Sequence, residues 1–116
     1  MTSNIVAPVD AQLAAYNAHD VDAFMVCYSA DCVVDDCDGS RLLSGHDEMR
    51  PRYVALFENS PKLHCDIVSR IVIGDYVIDE ESISGRVPDL RRAVVIYRVD
   101  RSSGLINHVR FLREAG

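Results

Sequence analysis

Residues 63–73 read Leu63-His64-Cys65-Asp66-Ile67-Val68-Ser69-Arg70-Ile71-Val72-Ile73. Leu63, Cys65, Ile67, Ser69, Ile71 and Ile73 alternate with His64, Asp66, Val68, Arg70 and Val72. A period of two belongs to β-strands, whose side chains point to alternate faces. Downstream, Gly74-Asp75 reads as a short turn and Tyr76 to Ile83 as a returning strand. Gly85 to Leu90 is a loop holding Pro88, and Asp100 to Gly104 is a further turn. Ala93 to Val99 is the most apolar strand and is expected to be central, with Leu105 to Leu112 as the last strand.

Upstream the period is helical. Pro8 suits a first helical turn, and Val9, Leu13 and Tyr16 recur at i, i+4 and i+7, with Gln12 on the same face. Asp20 is a good N-cap for a second helix with the stripe Val21, Phe24, Met25 and Tyr28. Cys32-Val33-Val34 reads as a strand entering the acidic turn Asp35-Asp36-Cys37-Asp38-Gly39. A third helix follows Gly45, with Asp47 and Glu48 favouring its N-terminal dipole and Met49, Tyr53, Leu56 and Phe57 as its buried stripe. Pro51 removes a backbone donor, so a kink or restart is expected there. Helices segregated from a run of strands define the α+β class.

A chain of 116 residues, 48% of them hydrophobic, fits one domain over 1–116 with a real core. A net charge of −6 with scattered basic residues argues against nucleic acid as a partner. No window approaches the length of a membrane span. Met1 to Pro8 carries no positive charge and no long apolar run, so no signal peptide is expected there and a cytoplasmic location is. Cys27, Cys32, Cys37 and Cys65 form no CxxC pair and read as reduced structural thiols. No histidine pair has metal-ligand spacing, and no phosphate loop or nucleophile elbow occurs, so neither metal nor cofactor is expected.

The stretch Ala14-Ala15-Tyr16-Asn17-Ala18-His19-Asp20-Val21-Asp22-Ala23-Phe24, then Tyr28-Ser29-Ala30-Asp31-Cys32-Val33-Val34-Asp35-Asp36, resembles an N-terminal signature of ketosteroid-isomerase-like and SnoaL-like proteins in the nuclear transport factor 2-like superfamily. Ser44-Gly45 and Gly104-Leu105-Ile106-Asn107-His108-Val109-Arg110-Phe111 fit as well. The resemblance implies a cone-shaped α+β barrel, with a curved antiparallel sheet wrapped around three helices from the N-terminal half. It also implies a pocket between sheet and helices, and a homodimer. It places the isomerases' general base on Asp36 and two pocket tyrosines on Tyr28 and Tyr53. The oxyanion-donating tyrosine of those enzymes falls on Gln12, and the protonated aspartic acid beside it on Val95. With both donors replaced, ordinary ketosteroid isomerase activity is not expected, because such donors are worth about 3–4 kcal/mol each in oxyanion holes.

The catalytic candidates are therefore Asp36, Tyr28 and Tyr53, and the pocket candidates Gln12, Tyr16, Phe24, Phe57, Val95, Tyr97, His108 and Arg110. Asp36 is in phase with Cys32 and Val34 on an extended strand, or else belongs to a solvated acidic turn. His64, Asp66 and Arg70 share a face on strict alternation, and with Asp79 and Glu81 are expected to form a charged ladder. The functional expectation is a small-molecule pocket protein without a cofactor, acting on an apolar carbonyl-type substrate as an isomerase- or cyclase-like enzyme. The alternative is a non-catalytic homodimeric ligand-binding or interaction module. Ala93, Val95 and Tyr97 alternate with Val94 and Ile96, so the central strand is apolar on both faces. One face needs the helices and the other a partner, hence a homodimer through the sheet.

Overall fold

The computed structural model describes residues 4–114. Helix α1 spans Val6–Asn17 and α2 Val21–Met25, followed by strands β1 (Tyr28–Asp35) and β2 (Arg41–Ser44). Helix α3 covers Gly45–Asn59, and β3 (His64–Ile73), β4 (Tyr76–Ser84), β5 (Arg92–Asp100) and β6 (Leu105–Leu112) complete one sheet ordered β2-β1-β6-β5-β4-β3. The class is α+β, and Leu63 to Leu112 contains no helix. Among the described residues no helix is long and apolar enough to cross a membrane.

Local chemistry explains most boundaries. The Asp20 carboxylate accepts the Ala23 N–H at 3.1 Å, capping α2. Gly74, at φ 58°, opens the tight β3–β4 hairpin in a conformation that costs glycine little. Gly85 leaves β4 where a Cβ would lie 2.2 Å from the Lys62 carbonyl oxygen, so no larger residue fits. Helix α3 runs through Pro51 without a break, contrary to the expected restart. Proline removes one hydrogen bond there, and the burial of Met49, Tyr53 and Phe57 against the sheet holds the helix on both sides of it.

Three features differ from strict sequence periodicity. Tyr28 lies in β1, not in α2, which ends at Met25. The sheet is mixed: β1 runs parallel to β6, whereas the other neighbouring pairs are antiparallel. Most consequential is a β-bulge in β3 between Ile67 and Ser69. It places one extra residue, Val68, in the strand and reverses the alternation beyond it. Cys65 and Ile67 face the helices; past the bulge Arg70 takes that direction, while Ile71 and Ile73 are more than half exposed. The expected charged ladder of His64, Asp66 and Arg70 with Asp79 and Glu81 is thus broken, leaving His64 paired with Asp66 in solvent.

The core lies between the helices and the inner sheet face. Val77, Asp79, Glu81 and Ile83 of β4 and Ala93, Val95, Tyr97 and Val99 of β5 all point into it. Phe24 sits in an aromatic cluster, with ring centroids 4.5 Å from Tyr53 and 4.9 Å from Tyr28.

Candidate functional site

A cavity of about 30 Å³ lies between α1 and the inner sheet face. Helix α1 contributes Gln12, Leu13 and Tyr16, α2 contributes Phe24, and α3 contributes Tyr53. The sheet contributes Tyr28, Cys65, Glu81, Tyr97, Val109 and Phe111. The wall is largely aromatic, and among the described residues Glu81 is its one carboxyl group.

Glu81 is buried, and its carboxyl is pushed up to about 7. Removal from water is the main cause, since it penalises the charged form, and the carboxylate of Asp79 on the same strand face adds to it. The Cys65 thiol and the Tyr97 hydroxyl favour the charged form and partly offset the effect. Glu81 thus holds a proton that it can release near neutral pH.

The tyrosines divide into two pairs. Tyr28 donates to Gln12 Oε1 at 3.0 Å, and Gln12 Nε2 donates to the Val9 carbonyl at 3.0 Å and to the Tyr97 hydroxyl at 3.2 Å. Both amide protons of Gln12 are committed, so it closes the seam between helix and sheet and has no donor left for a ligand. Tyr16 and Tyr53, by contrast, line the cavity and take no part in this Gln12 network. Burial pushes both phenols well above their ordinary range, so they stay protonated and can only donate or accept hydrogen bonds.

The other candidates lie elsewhere. Asp36 does not line the cavity, because β1 ends at Asp35 and the chain turns, Gly39 N–H bonding to the Asp36 carbonyl at 2.9 Å. The phase shared with Cys32 and Val34 therefore stops one residue short. The Asp36 carboxylate accepts from Arg113 Nη2 at 2.5 Å and Nε at 3.1 Å, and this pairing lowers it to about 2. His108 reaches Asp35 at 2.8 Å, with Arg41 on the other carboxylate oxygen at 2.6 Å, and Arg110 donates to the Cys37 carbonyl at 3.1 Å. None of these side chains lines the cavity. Phe57 packs edge-on against Tyr16 at 5.5 Å, and Val95 is fully buried in the core.

Asp79 and Glu81 were expected in a charged ladder, with a second acid–base site as the less favoured alternative, and Cys65 was expected only as a structural thiol. One signal for the acids exists: both are in phase with Val77 and Ile83 on β4. Among the described residues no group of three or more His, Cys, Asp or Glu side chains is arranged to hold a metal ion.

The sequence matches the model of the SnoaL-like domain over residues 9–109. The chain belongs to this family. The solved structures agree with the fold. An uncharacterized cystatin-fold protein from Novosphingobium aromaticivorans superposes with TM-score 0.82 at 24% identity, covering 97% of this chain and 100% of that one. An NTF2-like protein of unknown function from Cytophaga hutchinsonii gives TM-score 0.79 at 12% identity, over 98% and 93% of the two chains. A protein from Sinorhizobium meliloti provisionally described as a polyketide cyclase gives 0.77 at 21% identity, over 91% and 94%. No match to a curated protein was found. At these identities the likeness establishes the NTF2-like α+β fold of this SnoaL-like domain, and its chemistry has to be argued from the cavity.

Proposed function

We propose that this SnoaL-like domain moves a proton on a small, uncharged carbonyl compound, as an isomerase- or cyclase-type enzyme without a cofactor, with Glu81 as the acid–base group. The observation that carries the reading is the buried Glu81 carboxyl, poised at about 7 in a cavity that Tyr16 and Tyr53 also line. An acid–base group works best when its proton is exchangeable at working pH. In this scheme the Glu81 carboxylate takes a proton from the carbon next to the carbonyl. The Tyr16 or Tyr53 hydroxyl donates to the enolate oxygen, and Glu81 returns the proton to carbon. No Lys, Arg or His side chain lines the cavity, which disfavours an anionic reacting group. A cavity of about 30 Å³ takes little more than a water molecule, so a substrate enters only as the α1 wall yields.

The test is wash-out of α-protons from a panel of small enolisable ketones and β-ketoesters in D2O, followed by proton NMR. Exchange that disappears in Glu81→Gln and persists in Asp36→Asn is expected. Exchange that survives Glu81→Gln, or that depends on Asp36, would sink the assignment.

The small cavity also favours a second reading, a non-catalytic homodimeric module. On the outer sheet face Ile71, Ile78 and Ile96 stand side by side in register, with Ile71 60% exposed. Either reading includes a homodimer through that face. Light scattering of Ile96→Lys should then show a monomer where the wild type is a dimer.

A further inference from the structure

Behind Glu81 stand three charged side chains that the acid–base scheme does not use. Arg70 of β3 holds Asp79 of β4 in a two-pronged bond, Nε to Oδ1 at 2.6 Å and Nη2 to Oδ2 at 2.9 Å. Its third nitrogen, Nη1, reaches Asp10 of α1 at 2.7 Å. Asp79 is fully buried and lies two residues from Glu81 on the same strand face. We propose that Asp79, clamped by Arg70, is a positioning residue that keeps the exchangeable proton of the cavity on Glu81. This rests on the reading of Glu81 as the acid–base group.

Two carboxyl groups side by side in a buried face cannot both be charged without a counter-ion. Here the guanidinium of Arg70 is bonded to Asp79 alone of the two, and its fork occupies both Asp79 oxygens, so the proton stays with Glu81. The titratable groups that line the cavity with Glu81 from the other elements are Tyr16 of α1, Tyr28 of β1, Tyr53 of α3, Cys65 of β3 and Tyr97 of β5. All are neutral acids with raised proton affinity, so none competes as a charge. Arg86, in the loop after β4, acts on Tyr16 and Tyr53 and does not enter the balance at Glu81. The bulge at Val68 makes the clamp possible, because without it Arg70 would point to solvent.

The experiment follows the Glu81 side-chain carboxyl by carbon-13 NMR across pH in the full chain, comparing the wild type, Asp79→Asn, Arg70→Met and Arg70→Lys. In Asp79→Asn the midpoint should fall by about one pH unit or more, since a like charge is lost and a cation uncovered. In Arg70→Met it should rise and a second midpoint should appear, as the two carboxyls share one proton. Arg70→Lys should return it towards the wild-type value. Shifts in opposite directions are not what a merely structural role produces. If Arg70→Met does not fold, the near-isosteric Asp79→Asn decides alone. A near-neutral wild-type midpoint that ignores Asp79→Asn overturns the clamp and leaves the acid–base reading standing. A wild-type midpoint in the ordinary carboxylate range overturns both.

Discussion

The chain carries two acidic groupings, Asp35-Asp36 at the end of β1 and Asp79 with Glu81 on β4, and the fold treats them in opposite ways. Asp36 sits in a turn against the Arg113 guanidinium, and its carboxyl is lowered to about 2. Glu81 sits in an aromatic cavity without a cation of its own, and its carboxyl is raised to about 7. A carboxylate in a turn with an arginine beside it is a structural charge. A carboxylic acid deprived of water and of a counter-ion is a chemical one.

The largest expected effect is on turnover. Removing a general acid–base group costs about 10²- to 10⁴-fold in rate. Glu81→Gln should lose that much of any α-proton exchange, whereas Asp36→Asn should keep the wild-type rate. The reverse result would make the β1 turn the chemical site.

Next comes stability at neutral pH. Arg70→Met strands the buried Asp79 carboxylate, and breaking a buried pair from one side costs about 3–5 kcal/mol. Arg113→Met breaks a pair at the turn and should leave the urea midpoint close to the wild type. Equal midpoints for the two variants would mean that the Arg70 pair is not buried in solution.

The pH dependence of stability should separate the two acids by sign. Glu81 has a folded value, about 7, above the ordinary 4.5, so the folded state holds the proton more tightly. The stability this contributes is present below about 4.5 and lost as pH rises towards 7, about 3 kcal/mol in all. Asp36 has a folded value, about 2, below the ordinary 3.8. Its contribution is present above 3.8 and lost as pH falls towards 2. Urea melts should show Glu81→Gln flattening the neutral limb and Asp36→Asn the acid limb. A neutral limb unchanged in Glu81→Gln would contradict the burial of that carboxyl.

The smallest effect sharpens the origin of the difference. Deleting Val68 removes the extra residue of the bulge and leaves Ile67 and Arg70 on the inner face of an unbroken strand. This variant should still fold and should keep the Arg70–Asp79 pair, with the Glu81 midpoint unchanged by NMR. Loss of the fold would show that β3 alternates strictly and that the bulge has been misplaced.

By itself the sequence determined the element order, the α+β class and the family resemblance, because periodicity, the Asp20 cap and the glycine turns act locally. The family resemblance also brought Gln12, Tyr28 and Tyr53 forward, and the apolar stripes of the helices and of β5 brought Tyr16, Phe24 and Tyr97, all of which line the cavity. Only the tertiary structure decided which acid enters the cavity. Alternation places Asp36 in phase with Val34, but the strand stops at Asp35. Alternation on β4 puts Asp79 and Glu81 in phase with Val77 and Ile83, whereas strict alternation on β3 points Arg70 away from that face, and the bulge turns Arg70 inward to meet Asp79. A single extra or missing strand residue reverses every later side chain. Such a step depends on the pairing of distant strands, and no window of sequence contains both partners.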